Sequence, residues 1–272
     1  MFGALAALAT VVRAHEPEAP DLSGAAQQGR VMFGRAPEGA RSVTFDGADV
    51  SLASDRRFLI AFDRDAGPQA NLRVTFEDGR TIDRQLTVSP GTWRIERVDA
   101  ALTAGVPSEA FQRRRTAELA LIEAARAAMR PGASEGWRQR FIWPVVARIS
   151  GKFGSQRIYR GTPGSYHTGV DIAARAGTIY VAPADGVVVL AADAPFTLEG
   201  NLLIIDHGMG LSSAFLHSQR LLVKSGEQVR RGQPIGVVGA TGRATGPHLH
   251  WGMKWNGARI DPVPLVRAAP GD

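Results

Sequence analysis

Two histidines separated by a single residue, His248 and His250, lie in the segment Gly246-Pro247-His248-Leu249-His250-Trp251-Gly252. Side chains alternate between the two faces of an extended strand, so these two imidazoles project from the same face. Histidines placed in this way can share one metal site. The segment therefore predicts a β-strand with a metal or catalytic site on one face, for which the rest of the chain must supply further groups.

The further ligands available are imidazoles and carboxylates. The chain of 272 residues has six histidines and no cysteine, so a thiolate site is excluded and any zinc must be bound by imidazole and carboxylate. Five of the six histidines lie in the carboxy-terminal part of the chain: His167, His207, His217, His248 and His250.

A second motif, His167-Thr168-Gly169-Val170-Asp171, places an imidazole and a carboxylate four residues apart. On an extended strand both side chains lie on one face with Gly169 between them, where a larger side chain would compete for the space that a metal needs. Either motif alone is more often structural than metallic. Together, in a chain with few histidines, they predict a metal site with four possible ligands, His167, Asp171, His248 and His250. Three protein ligands plus water is the arrangement that leaves zinc open for catalysis.

Residues 1 to 14 have the character of a signal peptide. Their apolar run from Met1 to Val12 is too short to span a bilayer and is followed by small residues at cleavage-type positions. No basic residue precedes the run, which departs from the usual signal peptide. We expect the protein to be exported, and we expect His15 to be incidental rather than a ligand.

Residues 29 to 98 show the alternation of short β-strands. Apolar residues occupy every second position from Leu72 to Phe76 and lead into Asp78-Gly79, which is a strong hairpin signal. The pattern predicts a small antiparallel β-sandwich that serves as an accessory domain. It contains no evident catalytic constellation.

Residues 107 to 130 predict one connecting helix. Ser108 is a suitable N-cap, and Pro131-Gly132 would end the helix. Most of its apolar positions are alanine, so we expect it to lie across a surface between domains. We expect the run Arg113-Arg114-Arg115 to form a solvated face.

Residues 141 to 268 predict a second β domain, because glycine, β-branched residues and turns are frequent there. The chain is therefore expected to be mainly β, with an antiparallel two-layer β-sheet domain at its carboxy terminus. Its candidate strands are Ile179 to Val181, Gly186 to Leu190, Leu202 to Ile205, Ser213 to Leu216 and Ile235 to Val238.

A formal net charge of +6 favours contact with an anionic surface or polymer. The basic residues are scattered, and the sequence lacks the recognition helix or aromatic-interleaved basic strand that binding to nucleic acid requires. We therefore expect no nucleic-acid partner and no stable membrane insertion of the mature protein.

Three separated motifs resemble the LytM and lysostaphin family of zinc endopeptidases, which cut peptidoglycan cross-links. They are His167 to Asp171, then Phe215-Leu216-His217, then Thr241 to His250, in the order found in the family. The resemblance implies that His167, Asp171 and His250 bind Zn²⁺ and that His217 and His248 are catalytic imidazoles. Which of the two is the general base stays open, and His207 is expected to be structural.

The resemblance implies an exported enzyme of the periplasm or cell envelope that hydrolyses peptide cross-links in peptidoglycan, with the peptide stems as its partner. A direct link between D-alanine and a diamino acid is the expected bond, and glycine bridges are the competing substrate. One alternative is a non-catalytic cell-wall scaffold or amidase activator that retains the metal site. Another is a biotinyl or lipoyl carrier modified at Lys224, which lacks the flanking pattern of such a lysine.

Overall fold

The computed structural model describes residues 19–102 and 107–267. These residues fold mainly as β-strands with two α-helices, which confirms the predicted fold class. The predicted signal peptide, residues 1 to 14, and His15 lie outside the described residues. Neither helix among the described residues is long and apolar enough to span a membrane.

The amino-terminal region forms two small antiparallel sheets, as the alternating pattern predicts. One has the strand order β1-β2-β5 and the other the order β4-β3-β6-β7. In β6 the apolar residues Leu72, Val74 and Phe76 are buried, and Gly79 closes the β6–β7 hairpin with a φ of 85°. The strands are β1 Asp21–Ser23, β2 Val31–Arg35, β3 Ala40–Phe45, β4 Ala48–Val50, β5 Arg57–Ala61, β6 Gln69–Phe76 and β7 Thr81–Thr87.

Strand β8, Ile95–Val98, connects the amino-terminal region to the rest of the chain. It pairs in parallel with Gln156–Tyr159, a strand of the carboxy-terminal region. Just before it, the ring of Trp93 packs edge to face with Phe153 at 5.5 Å between centroids. The connection is therefore held by hydrogen bonds and aromatic packing.

Helix α1, Glu109–Ala127, begins at the predicted cap, where the Ser108 hydroxyl accepts a hydrogen bond from the backbone N–H of Phe111. The helix is docked on the carboxy-terminal sheet. Glu118 Oε1 accepts hydrogen bonds from the backbone N–H (2.6 Å) and the hydroxyl (2.7 Å) of Thr197. Arg115 pairs with Glu199 at 2.6 Å, and its side chain is only 17% exposed, so the expectation of a solvated face is wrong for this residue.

The carboxy-terminal region has a large antiparallel sheet with the strand order β18-β14-β15-β16-β20-β12-β9 and β21 paired to β20. A smaller sheet, β13-β19-β17, packs on it, with the rings of Tyr180 and Phe215 stacked at 5.5 Å. The strands and second helix are β9 Ile149–Gly151, β10 Gln156–Tyr159, β11 Thr162–Pro163, β12 Gly169–Ile172, β13 Ile179–Val181, β14 Gly186–Ala191, β15 Asn201–Gly208, β16 Leu211–Ser218, β17 Arg220–Leu221, β18 Gln228–Val229, β19 Pro234–Val237, β20 Leu249–Trp255, β21 Ala258–Ile260 and α2 Val263–Arg267.

One hydrophobic core runs through both β regions. Phe45 of the amino-terminal region packs edge to face against Trp255 of the carboxy-terminal region, with ring centroids 6.0 Å apart. Phe62 packs against Phe45 in the same way at 5.5 Å. The two regions are therefore joined by buried apolar contacts as well as by the pairing of β8 with β10.

We predict that Glu118→Ala lowers the free energy of unfolding by about 2 kcal/mol, because the Thr197 N–H and the Arg115 guanidinium lose a buried acceptor. Urea unfolding measures the change. The matched control is Glu109→Ala, which removes an exposed pair with Arg113 and should change stability by less than about 0.5 kcal/mol. Equal effects of the two substitutions would contradict the assigned role of Glu118.

Candidate metal centre

Three donor atoms meet at the end of the large sheet. His167 Nε2 lies 3.0 Å from Asp171 Oδ1 and 3.1 Å from His250 Nδ1, and His250 Nδ1 lies 2.9 Å from the same Asp171 oxygen. Among the described residues, this is the group of three or more side chains whose donor atoms could hold one metal ion.

The donor set fits zinc. Two imidazole nitrogens and one carboxylate oxygen are typical zinc ligands, and tetrahedral zinc with bonds of 2.0–2.1 Å separates its ligand atoms by about 3.3 Å. The three observed separations, 3.0, 3.1 and 2.9 Å, are close to that value. Three ligands leave one tetrahedral position for water or substrate. This donor set agrees with the predicted zinc cofactor.

The pairing of β12 with β20 brings the ligands together. Asp171 lies directly opposite His250 in this antiparallel pair, and directly opposite side chains have Cβ atoms about 5 Å apart. His167 precedes β12, and its Nδ1 donates a hydrogen bond to the carbonyl of Lys152 at 3.1 Å, which directs Nε2 toward the other two ligands.

Burial and charge adjust the protonation of the ligands. Burial alone would raise the pKa of Asp171, but hydrogen bonds from His167 and His250 hold that pKa well below its usual range. Burial lowers the pKa of His250. For His167 burial also acts to lower the pKa, yet the hydrogen bond and charge of Asp171 leave it above its ordinary value. The carboxylate is therefore ionised and ready to bind a cation.

The two remaining histidines of the motifs flank this cluster. The rings of His217 and His248 lie 4.8 Å apart, and His217 lies 6.3 Å from His250. Nδ1 of His217 donates to the carbonyl of Thr241 at 2.9 Å, and Nδ1 of His248 donates to the carbonyl of Gly246 at 2.9 Å. Among the described residues no backbone group is bonded to Nε2 of either ring, and Nε2 of His248 lies 3.7 Å from Asp171 Oδ1.

His217 has an unusual backbone conformation. Its φ is 64°, in the left-handed region that side chains with a Cβ rarely adopt, and its N–H donates to the carbonyl of Glu199 at 2.8 Å. Strained backbone of this kind occurs often at functional sites, where the surrounding structure holds it in place. Burial lowers the pKa of His217, so its imidazole is neutral near pH 7.

Two glycines shape the centre, and only Gly169 lies within a sequence motif of the site. A Cβ on Gly169 would lie 2.4 Å from the carbonyl oxygen of Trp251 and 2.8 Å from His250 Nε2. A larger residue at position 169 would therefore clash with the partner strand and with the ring of His250. A Cβ on Gly151 would lie 2.4 Å from Asp171 Oδ2. Gly151 belongs to the edge strand β9, far from either motif in sequence, and no local pattern identified it.

His207 lies apart from this cluster. It is fully buried, with Nδ1 2.8 Å from the carbonyl oxygen of Asp185 and Nε2 2.8 Å from the hydroxyl of Ser213. Burial lowers its pKa to about 4. These contacts agree with the structural role expected for it. Lys224, the residue of the carrier alternative, is exposed in the turn before β18.

Comparison with known proteins agrees with this geometry. Residues 165–262 match the family model described as Peptidase family M23. Over 137 residues the chain is 38% identical to the peptidoglycan DD-endopeptidase ShyA of Vibrio cholerae, covering 48% of this chain and 31% of ShyA. Over 130 residues it is 38% identical to the DD-carboxypeptidase/endopeptidase Mpg of Neisseria meningitidis, covering 46% of this chain and 29% of Mpg.

A solved structure of an M23 peptidase from Pseudomonas aeruginosa resembles nearly the whole chain. The TM-score is 0.69 at 29% identity, and the match covers 89% of this chain and 96% of that one. In contrast, this chain spans about a third of the length of the curated relatives that it matches.

We predict that Gly151→Ala weakens zinc binding by about 10- to 100-fold, because the added methyl group displaces the Asp171 carboxylate. Competition with a chromophoric chelator measures the affinity, and circular dichroism checks the fold. The matched control is Gly257→Ala, where an added Cβ meets no heavy atom within 4 Å. Unchanged affinity in Gly151→Ala would contradict the assigned steric role.

We also predict that His207 makes the protein less stable in mild acid. Its pKa is about 4 in the folded state and about 6.5 when unfolded, so the unfolded chain takes up the proton first as the pH falls. Up to about 3 kcal/mol of unfolding free energy is therefore lost between about pH 6.5 and 4. Urea unfolding is measured for wild type and His207→Gln in the presence of a chelator. The free energy of unfolding should depend less steeply on pH in the variant. Parallel curves would refute the prediction.

Proposed function

We propose that the protein is a zinc-dependent endopeptidase that hydrolyses peptide cross-links in bacterial peptidoglycan, since residues 165–262 match the family model described as Peptidase family M23. The observation that carries the proposal is the convergence of three ligand-type atoms with two further imidazoles in one place. It supports His167, Asp171 and His250 as the zinc ligands. It supports His217 and His248 as the catalytic residues.

Zinc bound by these three side chains would polarise the scissile carbonyl and lower the pKa of a water molecule to near 7. Asp171 would supply one negative charge beside the divalent cation, and Lys152 fixes the ring of His167 through its carbonyl oxygen. Gly151 leaves the space in which the Asp171 carboxylate lies.

The two flanking imidazoles are placed to transfer protons during the reaction. His217 is neutral near pH 7, and with its Nδ1–H donated to Thr241 its Nε2 lone pair can accept a proton from water. His248 is oriented in the same way by Gly246, and a proton carried on its Nε2 would be donated to the oxyanion that develops on the carbonyl. The two rings lie 4.8 Å apart, close enough to act on the same reacting group.

The names of the relatives support the proposed substrate class. ShyA is named a peptidoglycan DD-endopeptidase, and Mpg is named a DD-carboxypeptidase/endopeptidase. We assign this chain the direct D-alanyl link to a diamino acid, with the peptide stems as its binding partner. A substrate of this kind requires an exported protein that acts in the periplasm or cell envelope.

The amino-terminal β region, residues 29 to 98, is proposed as an accessory domain that positions the peptidase domain, residues 141 to 268, on the polymer. The helix region, residues 107 to 130, connects the two. The shared core and the pairing of β8 with β10 support this role, because they keep the two regions in one orientation.

Purified sacculi test the function. We predict that zinc-loaded protein converts dimers joined by D-alanyl–diamino acid links to monomers, that a chelator stops the reaction and that added zinc restores it. His167→Ala and Asp171→Ala should lose both zinc and activity, whereas His217→Ala should keep zinc and lose at least about 100-fold in turnover. Metal analysis and chromatography of the released muropeptides provide the two measurements.

Lys224→Ala is the control, since this exposed side chain lies outside the centre and its loss should leave turnover unchanged. Full hydrolysis by Asp171→Ala would contradict the metal assignment. Zinc-loaded wild type that leaves dimers intact would instead favour the scaffold or activator role. Cleavage restricted to sacculi with glycine bridges would identify the competing bond.

A further inference from the structure

A groove continues from the metal centre along strand β20. His250, Gly252 and Lys254 occupy alternate positions of this strand and so share one face of the sheet. The three residues line one cavity of about 210 Å³, which helix α1 closes on the side opposite the sheet. From His250 to Lys254 the strand extends by about 13 Å. A substrate held at the metal centre therefore has a path to Lys254.

Three cationic side chains meet at the far end of this groove. Lys254 lies directly opposite Arg259 in the pairing of β20 with β21, and Arg126 reaches the same cavity from helix α1. Like charges directly opposite one another on neighbouring strands destabilise a sheet. The arrangement costs stability unless an anion is bound there.

Within residues 19–102 and 107–267, none of the three cations forms an ion pair with a carboxylate. Arg126 donates to the hydroxyl of Ser212 at 3.2 Å, and Arg259 lies over the ring of Tyr166 at 5.8 Å. These partners are neutral, so neither contact compensates the positive charge of its arginine.

Two carboxylates lie near the cluster without pairing with it. Asp63 Oδ2 accepts a hydrogen bond from the backbone N–H of Arg259 at 2.8 Å, and Glu123 is on the exposed side of helix α1. Burial and the charges of Arg126 and Arg259 lower the pKa of Lys254 to about 8, even though Asp63 and Glu123 act to raise it. The ammonium group still carries its proton at pH 7 and lies in a net positive environment.

We propose that Lys254, Arg126 and Arg259 form a subsite for a free carboxylate of the peptide substrate, at the opposite end of the groove from the metal centre. Charge-assisted hydrogen bonds to a carboxylate would use the donors that have no anionic partner, and would relieve the repulsion among the three cations. The inference rests on the proposed function and specifies what the substrate must carry. It makes helix α1 one wall of the binding groove, through Arg126.

Two matched cross-linked dimers test the subsite: one with its stem carboxylates free and one with them converted to carboxamides. With zinc-loaded full-length protein, Lys254→Gln should raise KM for the free dimer by about tenfold, with kcat within about twofold of wild type. The amidated dimer should already have the higher KM with wild type, and Lys254→Gln should not raise it further. Lys254→Arg should restore the preference for the free dimer.

Arg113→Gln is the matched control, because it removes a cation from an exposed position of the same helix, where the side chain is 72% exposed. Binding of both dimers is also measured by titration calorimetry with the zinc-loaded His217→Ala protein, with and without Lys254→Gln. Tighter binding of the free dimer that disappears with Lys254→Gln supports the subsite. If wild type binds in this way but hydrolyses neither dimer, the proposed function is refuted and the subsite is not. Two outcomes would overturn the subsite and leave the proposed function standing. One is equal binding of the two dimers, and the other is an equal loss of affinity for both dimers in Lys254→Gln.

Discussion

The antiparallel pairing of β12 with β20 is the interaction on which the metal centre depends. In this register Asp171 faces His250 on one side of the sheet, while Val170 and Trp251, also opposite one another, are buried on the other side. A slip of one residue would move the ligands into the core and the apolar pair out of it. The burial of Val170 and Trp251 therefore holds the ligand geometry in place before any metal binds.

The short motifs predict a site at His167, Asp171 and His250, and the structure brings these side chains together. The alternation of side chains along a strand predicts which face His250 and Asp171 each share with the other residues of their motifs. The strand predicted from Ile179 to Val181 has those bounds in the structure. Gly151 and Arg115 could not be predicted, because their roles depend on contacts with Asp171 and Glu199, which are distant in sequence. Pairing between distant strands and helix docking are tertiary properties, and no local pattern encodes them.

Helix α1 has two electrostatic environments along its length. At its amino-terminal half, Arg115 is neutralised by Glu118 and Glu199, and these pairs fix the helix on the sheet. At its carboxy-terminal half, Arg126 has a hydroxyl group as its side-chain partner and lies beside two other cations. The paired half supplies the docking energy that holds the unpaired half over the groove.

The parallel pairing of β8 with β10 has a mechanical consequence. Four residues of the connecting segment, Ile95 to Val98, are in register with Gln156 to Tyr159, so bending there would break a hydrogen-bonded ladder. The two β regions consequently turn as one rigid body. The distance and angle between the surface of the first region and the cluster of His167, Asp171 and His250 are therefore set by the fold and not by a flexible linker.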